Sequence, residues 1–273
     1  MDKGFEIKVL DHGYVRFIDS MGDDKRIVEA ARVSYRSPSK GDDQDKKLLG
    51  YLWKNKHTSP FEMGKITLNI KMPIFVMRQY VRHRMQNLNE VSARYTQLPN
   101  EFYIPEKWRK QDLKNKQGSI EDVELNHSFY SEELKKFCND AYSLYEDYLN
   151  SGIAREMARM VLPVNIYTEI YTCWDLKNLL HFISLRDDSH AQAEIQEYGK
   201  AVKQITKEIF PWTLEWYDAA RKEDEQKAQV WAYFNKLKKD LNGDLSVDEF
   251  IKYLEDTSFA TDYSSYKLKS NAS

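Results

Sequence analysis

Arg82, His83 and Arg84 stand side by side, and Arg94 follows ten residues later, in the run Arg-His-Arg-Met-Gln-Asn-Leu-Asn-Glu-Val-Ser-Ala-Arg-Tyr at 82–95. Arg78 lies one helical turn before them. Within the run only Glu90 carries a compensating charge, and His83, Asn87, Asn89, Ser92 and Tyr95 add neutral hydrogen-bonding groups. Guanidinium groups stay charged at any physiological pH and present forked donors that match phosphate oxygens in pairs. Such a patch in a chain of formal net charge −2 suits an anionic ligand held at one place. A second reading needs no ligand. Runs of charge are often solvated helix faces, and cations at a helix C-terminus interact favourably with its dipole. Residue types alone leave both readings open.

The elements that must position this run can be read from periodicity. Lys65 to Lys71 alternates Ile66, Leu68 and Ile70 with polar residues, as a half-buried strand does. Pro73 suits the first turn of a helix, which the pattern carries to about Met85, with Arg78 and Arg82 on one face and Arg84 at its end. Residues 86 to 118 read as loop. Ile166 to Trp174 reads as a strand, Asp175 as the N-cap of a helix from Leu176 to Leu185, and Ser189 as the start of another running to Phe210. Two short strands flank Asp11-His12-Gly13, and helices are predicted at 27–34, 45–56, 126–150 and 154–161. No regular βαβ repeat occurs, so the predicted class is α+β, a mixed, largely antiparallel sheet flanked by long helices. The texture changes after Arg221, which divides the chain into a domain at 1–221 and a C-terminal extension at 222–273. The extension reads as two short amphipathic helices, Val230–Leu241 and Val247–Leu254, and a disordered tail.

Composition narrows the function classes. A net charge of −2 argues against a general nucleic-acid binder. Two cysteines, Cys138 and Cys173, give neither a disulfide framework nor a metal-ligand spacing, which fits a reducing cytoplasm. The N-terminus lacks the apolar core of a signal peptide, and no apolar run has the length of a membrane span.

Four other segments accompany Arg-His-Arg-x7-Ser-x-Arg, in this order along the chain. They are Ala-Arg-Val-Ser at 31–34, His-Thr-Ser-Pro-Phe-Glu at 57–62, Arg-Glu-Met-Ala-Arg-Met-Val-Leu-Pro at 155–163, and Ser-Leu-Arg-Asp-Asp-Ser-His-Ala-Gln-Ala-Glu-Ile-Gln at 184–196. Together they resemble the flavin-dependent thymidylate synthases, also called the thymidylate synthase complementing protein family, over roughly residues 5 to 220. The resemblance implies methylation of dUMP to dTMP with methylenetetrahydrofolate as one-carbon donor, FAD as hydride carrier and NADPH as reductant. It also implies a homotetramer with active sites shared between subunits. By the same likeness, Ser59, Arg82, His83, Arg84, Glu90, Asp175, Leu176, Lys177 and His181 contact FAD. Gln79, Tyr80, Val81, Arg82, Glu90, Val91, Ser92, Ala93, Arg94, Arg159 and Arg186 meet dUMP, and Arg186 is the residue that favours ionisation at N3 of the uracil.

Those residue types suit the chemistry, because a pyrophosphate and a phosphate dianion must be held near one another while a flavin performs the hydride transfer. The chain departs from the family pattern at Ser59 (commonly threonine), Met63 (often histidine), Ala93 (usually glycine), and Asp175 and Lys177 (asparagine and arginine expected). Ser92 has no activating base nearby in sequence, so a substrate hydrogen bond is preferred to a nucleophile. Cys138 and Cys173 both read as packing residues, unlike the thiolate of flavin-independent thymidylate synthases. Two rival readings are a flavin–NADPH oxidoreductase without methyl transfer and a nucleotide- or RNA-binding module. At 240–251, Asp240, Asn242, Asp244 and Asp248 occupy calcium-loop positions, but Leu245 replaces the turn glycine and Ile251 the bidentate glutamate, so no metal is expected.

Overall fold

Alternation of apolar and polar side chains sets the central sheet. In the computed structural model, which describes residues 1–113, 115–116, 118–121, 124–240 and 246–256, the chain opens with β1 (Glu6–Val9) and β2 (Gly13–Met21). Helix α1 (Asp24–Arg32) is capped by Asp23, and α2 (Asp42–Lys54) comes next. A 3₁₀ turn at Ser59–Met63 leads into β3 (Lys65–Pro73), α3 (Ile74–Tyr80) and β4 (Asn87–Glu90). A small hairpin, β5 (Arg109–Gln111) with β6 (Ser119–Glu121), precedes the long α4 (His127–Asn150) and the short α5 (Arg155–Ala158). Then come β7 (Tyr167–Asp175), α6 (Leu176–Arg186), α7 (Ala193–Ile209), α8 (Pro211–Asp240) and α9 (Val247–Asp256).

The main sheet has the order β1-β2-β3-β7-β4. Every pairing in it is antiparallel, so the expected mixed sheet is replaced, among the described residues, by a fully antiparallel one. Ile66, Leu68, Ile70 and Met72 of β3 face Trp174, Thr172, Ile170 and Thr168 of β7 in register, and all eight are buried. Helices α6 and α7 pack on each other here, with Phe182, Ile183, Ile195, Tyr198 and Val202 inside. Burial of this apolar surface is the main stabilising term. The opposite sheet face is polar. Asn69 there accepts from Tyr14 Oη (3.0 Å) and Arg16 Nη1 (3.1 Å) and donates to Glu169 Oε1 (2.8 Å). Cys173 lies half-buried on β7, at the alternate positions shared with Glu169 and Tyr171 rather than in the core.

Other sequence expectations fail for identifiable reasons. Helix α3 stops at Tyr80 rather than about Met85, because Arg82 N and His83 N bond three residues back, to Gln79 O and Tyr80 O. That tightening turns the chain so that the His83 ring enters the core, which a continuing helix would not do. Second, residues 87–90 are β4 rather than loop, satisfying the edge of β7. Third, the helix expected at Val230–Leu241 is not a separate short one but the end of α8, a single helix of 30 residues. Arg221–Glu225 and Glu223–Lys227 pair at i,i+4 along it, so the charges support the helix rather than interrupt it. The first compact unit ends at Trp216 and the second begins at Tyr217. Within the second, Phe234 packs on Phe250 at 5.0 Å between centroids, and Ser246 caps α9 reciprocally with Glu249. Asn242 and Asp244 of the calcium-like turn, and the tail from residue 257, lie outside the described residues.

Candidate active site

The turn after α3 is pinned from the inside. His83 is buried, with its ring 5.0 Å from Phe182, 5.9 Å from His181 and 6.4 Å from Trp174. Arg186 Nε donates to His83 Nε2 at 3.0 Å, so that nitrogen carries no proton. Burial, with Arg186 and His181 adding repulsion, pushes the His83 pKa down to about 4. Burial also lowers the pKa of Arg186, from a value far above neutrality. Gln86 Nε2 donates to the His83 carbonyl oxygen at 2.8 Å and Gln86 Oε1 accepts from Thr172 Oγ1 at 2.6 Å, which ties the turn to β7. With His83 locked inward, its neighbours Arg82 and Arg84 stand exposed.

The second segment, Glu90 to Arg94, leaves the sheet edge. Glu90 Oε1 accepts from Thr168 Oγ1 (2.6 Å), Val91 N bonds Glu169 O, and Ser92 Oγ accepts from Arg94 N (3.3 Å). Helix α4 anchors the chain from Ala93 to Phe102: Ala93, Leu98 and Phe102 pack with Cys138, Tyr142, Tyr145 and Ala158 in one buried cluster. Tyr142 Oη donates to Leu98 O at 2.8 Å. Arg94 pairs with Glu156 of α5 at 3.2 Å, and Arg159 is exposed one helical turn further on. Among the described residues Arg82, Arg84 and Arg159 have no carboxylate partner. Unpaired exposed guanidiniums of this kind fit phosphate oxygens, so the donor set agrees with a flavin dinucleotide and a nucleotide monophosphate.

The third group surrounds the start of α6. Asp175 caps that helix by accepting from Asn178 N at 2.9 Å, as its sequence position predicts, and Leu176 N bonds Gly64 O. Lys177 Nζ meets Glu62 Oε1 at 2.7 Å, which fixes the 3₁₀ turn bearing Ser59 against α6. Ser59 lines a cavity of about 880 Å³ together with Ala31, Val33, Ser34, His57 and Thr58. The fold thus joins the 31–34 and 57–62 segments around one cavity. Ser34 and His57 were not singled out from sequence, although both lie in those segments. None of Arg82, His83, Arg84 or Glu90 lines it.

Not every expected site residue offers a side chain. Tyr80 is fully buried, its hydroxyl accepting from Trp174 Nε1 at 2.8 Å, and Leu176 and Ala93 are buried too. These three can meet a ligand only through backbone atoms. Gln79 is half-buried, and Val81, Val91 and His181 are exposed. Gln86, which ties the His83 turn to β7, was missed because its role depends on Thr172, 86 residues further along the chain.

The chain matches the thymidylate synthase complementing protein family over residues 16–212. It is 49% identical over 211 residues to a flavin-dependent thymidylate synthase of Thermus thermophilus, with 77% of each chain covered. The flavin-dependent thymidylate synthase of Wolbachia pipientis wMel is 49% identical over 211 residues, covering 76% of this chain and 74% of that one. Among solved structures, a UMP/dUMP methylase, PolB from Streptomyces cacaoi bound with 5-Br dUMP, is similar with a TM-score of 0.71 and 31% identity. That similarity covers 78% of this chain and 97% of the other.

Proposed function

Because the chain belongs to the thymidylate synthase complementing protein family, we propose that it methylates dUMP to dTMP with methylenetetrahydrofolate as one-carbon donor, FAD as flavin and NADPH as reductant. FAD, when bound, supplies the hydride chemistry. The observation that carries this reading is the His83–Arg186 bond, which sets one fixed cation beside a turn whose two exposed arginines have no carboxylate partner among the described residues.

Each group of residues then has a task. Arg82 and Arg84, with Ser59, Glu90, Asp175, Leu176, Lys177 and His181, hold FAD, and His83 holds the turn from which the two arginines project. Gln79, Tyr80, Val81, Glu90, Val91, Ser92, Ala93, Arg94 and Arg159 hold dUMP, with Arg94 and Arg159 on its phosphate. Arg186 uses Nε on His83 and keeps its two terminal nitrogens for the pyrimidine, where a cation beside O2 and N3 stabilises negative charge developing on the ring. The Ser59 cavity shares no lining residue with the arginine turn, which supports sites completed by a second copy of the chain in a homotetramer. Among the described residues no helix is long and apolar enough to cross a membrane.

The test is dTMP formation from dUMP, methylenetetrahydrofolate and NADPH, with FAD present and omitted from stripped protein. FAD-dependent product is expected. A flavin-loaded protein that oxidises NADPH yet never forms dTMP would sink the methyl-transfer reading.

A further inference from the structure

Gln192 and Glu194, at the start of α7, are not among the residues assigned to FAD or dUMP. Glu194 is buried at 5% exposure, and its carboxylate accepts from Arg109 Nη2 (2.7 and 2.9 Å), Gln192 Nε2 (2.8 Å) and Tyr103 Oη (3.3 Å). Burial alone would raise its pKa, but the bonds from Arg109 and Gln192 more than offset this and hold it below the usual carboxylate range. The carboxylate is therefore ionised and can only accept. Gln192 must turn its amide nitrogen to it, which leaves Gln192 Oε1 facing outward. Gln79 meets that oxygen with Nε2 at 2.5 Å. Each orientation fixes the next. Gln79 is left to present its carbonyl oxygen, which accepts from no group among the described residues, and one amide hydrogen.

We infer that Glu194, acting through Gln192, is a positioning residue for Gln79 and so for nucleotide binding. The inference rests on the assignment of Gln79 to dUMP made above. The relay also reaches the β5–β6 hairpin, since Arg109 Nε donates to Ser119 Oγ at 2.9 Å. An ordered hairpin and an ordered nucleotide contact thus depend on one buried carboxylate. A purely structural role for Glu194 would alter stability without touching dUMP affinity.

Gln192→Leu separates these roles, because Gln192 is exposed and its loss leaves the Glu194–Arg109 pair intact. One lost positioning bond should raise the KM and the calorimetric Kd for dUMP roughly three- to tenfold. The kcat and the rate of flavin reduction by NADPH should stay within about twofold, and Tm should hold. The double variant Gln79→Ala, Gln192→Leu should bind dUMP no more weakly than Gln79→Ala alone, since Gln192 acts only through Gln79. Glu194→Gln should move dUMP binding the same way and lower Tm as well. Unchanged dUMP affinity in Gln192→Leu, or multiplicative losses in the double variant, would overturn the inference while wild-type turnover leaves the proposed function standing. A wild-type protein that neither binds dUMP nor forms dTMP would overturn the proposed function, and this inference with it.

Discussion

Arg186 and His83 meet at 3.0 Å, Nε to Nε2, and this contact joins the end of α6 to the turn after α3. It requires a neutral His83 with its proton on Nδ1. An unfolded histidine titrates near 6.5, whereas burial first, and then Arg186 and His181, bring the folded one to about 4. Between those pH values the unfolded chain binds the extra proton. The contribution of His83 to stability is therefore complete above about 6.5 and is lost as the pH falls toward 4. Imidazole NMR should show His83 as the Nδ1–H tautomer down to about pH 5, and His83→Gln should flatten the decline of Tm across that interval. A His83 resonance that titrates near 6.5 would contradict the arrangement.

Gly199 on α7 sets the position of the same arginine. A Cβ there would lie 2.8 Å from the Arg186 carbonyl carbon and 2.9 Å from Asp187 N, both backbone atoms that cannot rotate away. Gly199→Ala should therefore push the end of α6 outward and cost about 1–3 kcal/mol of stability. Because Arg186 moves with that end, dTMP formation should fall further than NADPH-driven flavin reduction. Urea midpoints and the two rates check both parts. Wild-type stability together with wild-type turnover would mean that the two helices separate freely.

How far the sequence carried depended on which signals are local. The β3 and β7 alternation and the Asp175 cap are set by neighbours in the chain, and both were readable. The end of α3 was not, because it depends on Trp174 and Phe182 drawing the His83 ring inward, and these lie about a hundred residues away in sequence. β4 has exposed residues throughout and exists because β7 offers a free edge, a condition invisible to periodicity. The arginines of the site announced themselves by charge. Gln86, Gln192 and Glu194, which orient the groups around them, did not, since neutral amides and a lone glutamate occur everywhere.

The two thiols differ in setting, and neither is expected to be catalytic. Cys138 is buried in the α4 cluster beside Asn165, whose Nδ2 lies 3.3 Å from Sγ, and burial raises its pKa. Cys173 is half-buried on the sheet, paired in register with Asn87 and Thr67. The variant Cys138→Ala, Cys173→Ala should retain most of its dTMP-forming rate. Truncating the buried Cys138 should lower stability by about 1 kcal/mol, with little from Cys173. A folded, flavin-loaded double variant with no turnover would return a thiolate to the mechanism.

Arg94 and Arg186 should fail in different ways. Arg94 is bonded to Glu156 at 3.2 Å, but both side chains are more than half exposed, at 58% and 53%. Exposed pairs are worth about 0–1 kcal/mol, whereas a charge-assisted bond to a phosphate is worth about 1.5–3 kcal/mol. Arg94 can therefore give up Glu156 for the nucleotide at little cost. Its bond to the phosphate exists in ground and transition states alike, so Arg94→Ala should raise the KM for dUMP by one to two decades, by about the value of that bond, and spare kcat. Arg186 is held by His83 and matters as charge grows on the ring, so Arg186→Ala should depress kcat for dTMP and leave flavin reduction by NADPH largely intact. Glu156→Ala supplies the control, freeing Arg94 and lowering the KM slightly or not at all. Measuring flavin reduction and dTMP formation separately in the three variants decides the matter: dTMP at the wild-type rate from Arg186→Ala, or unchanged dUMP affinity in Arg94→Ala, means that the roles are wrongly divided.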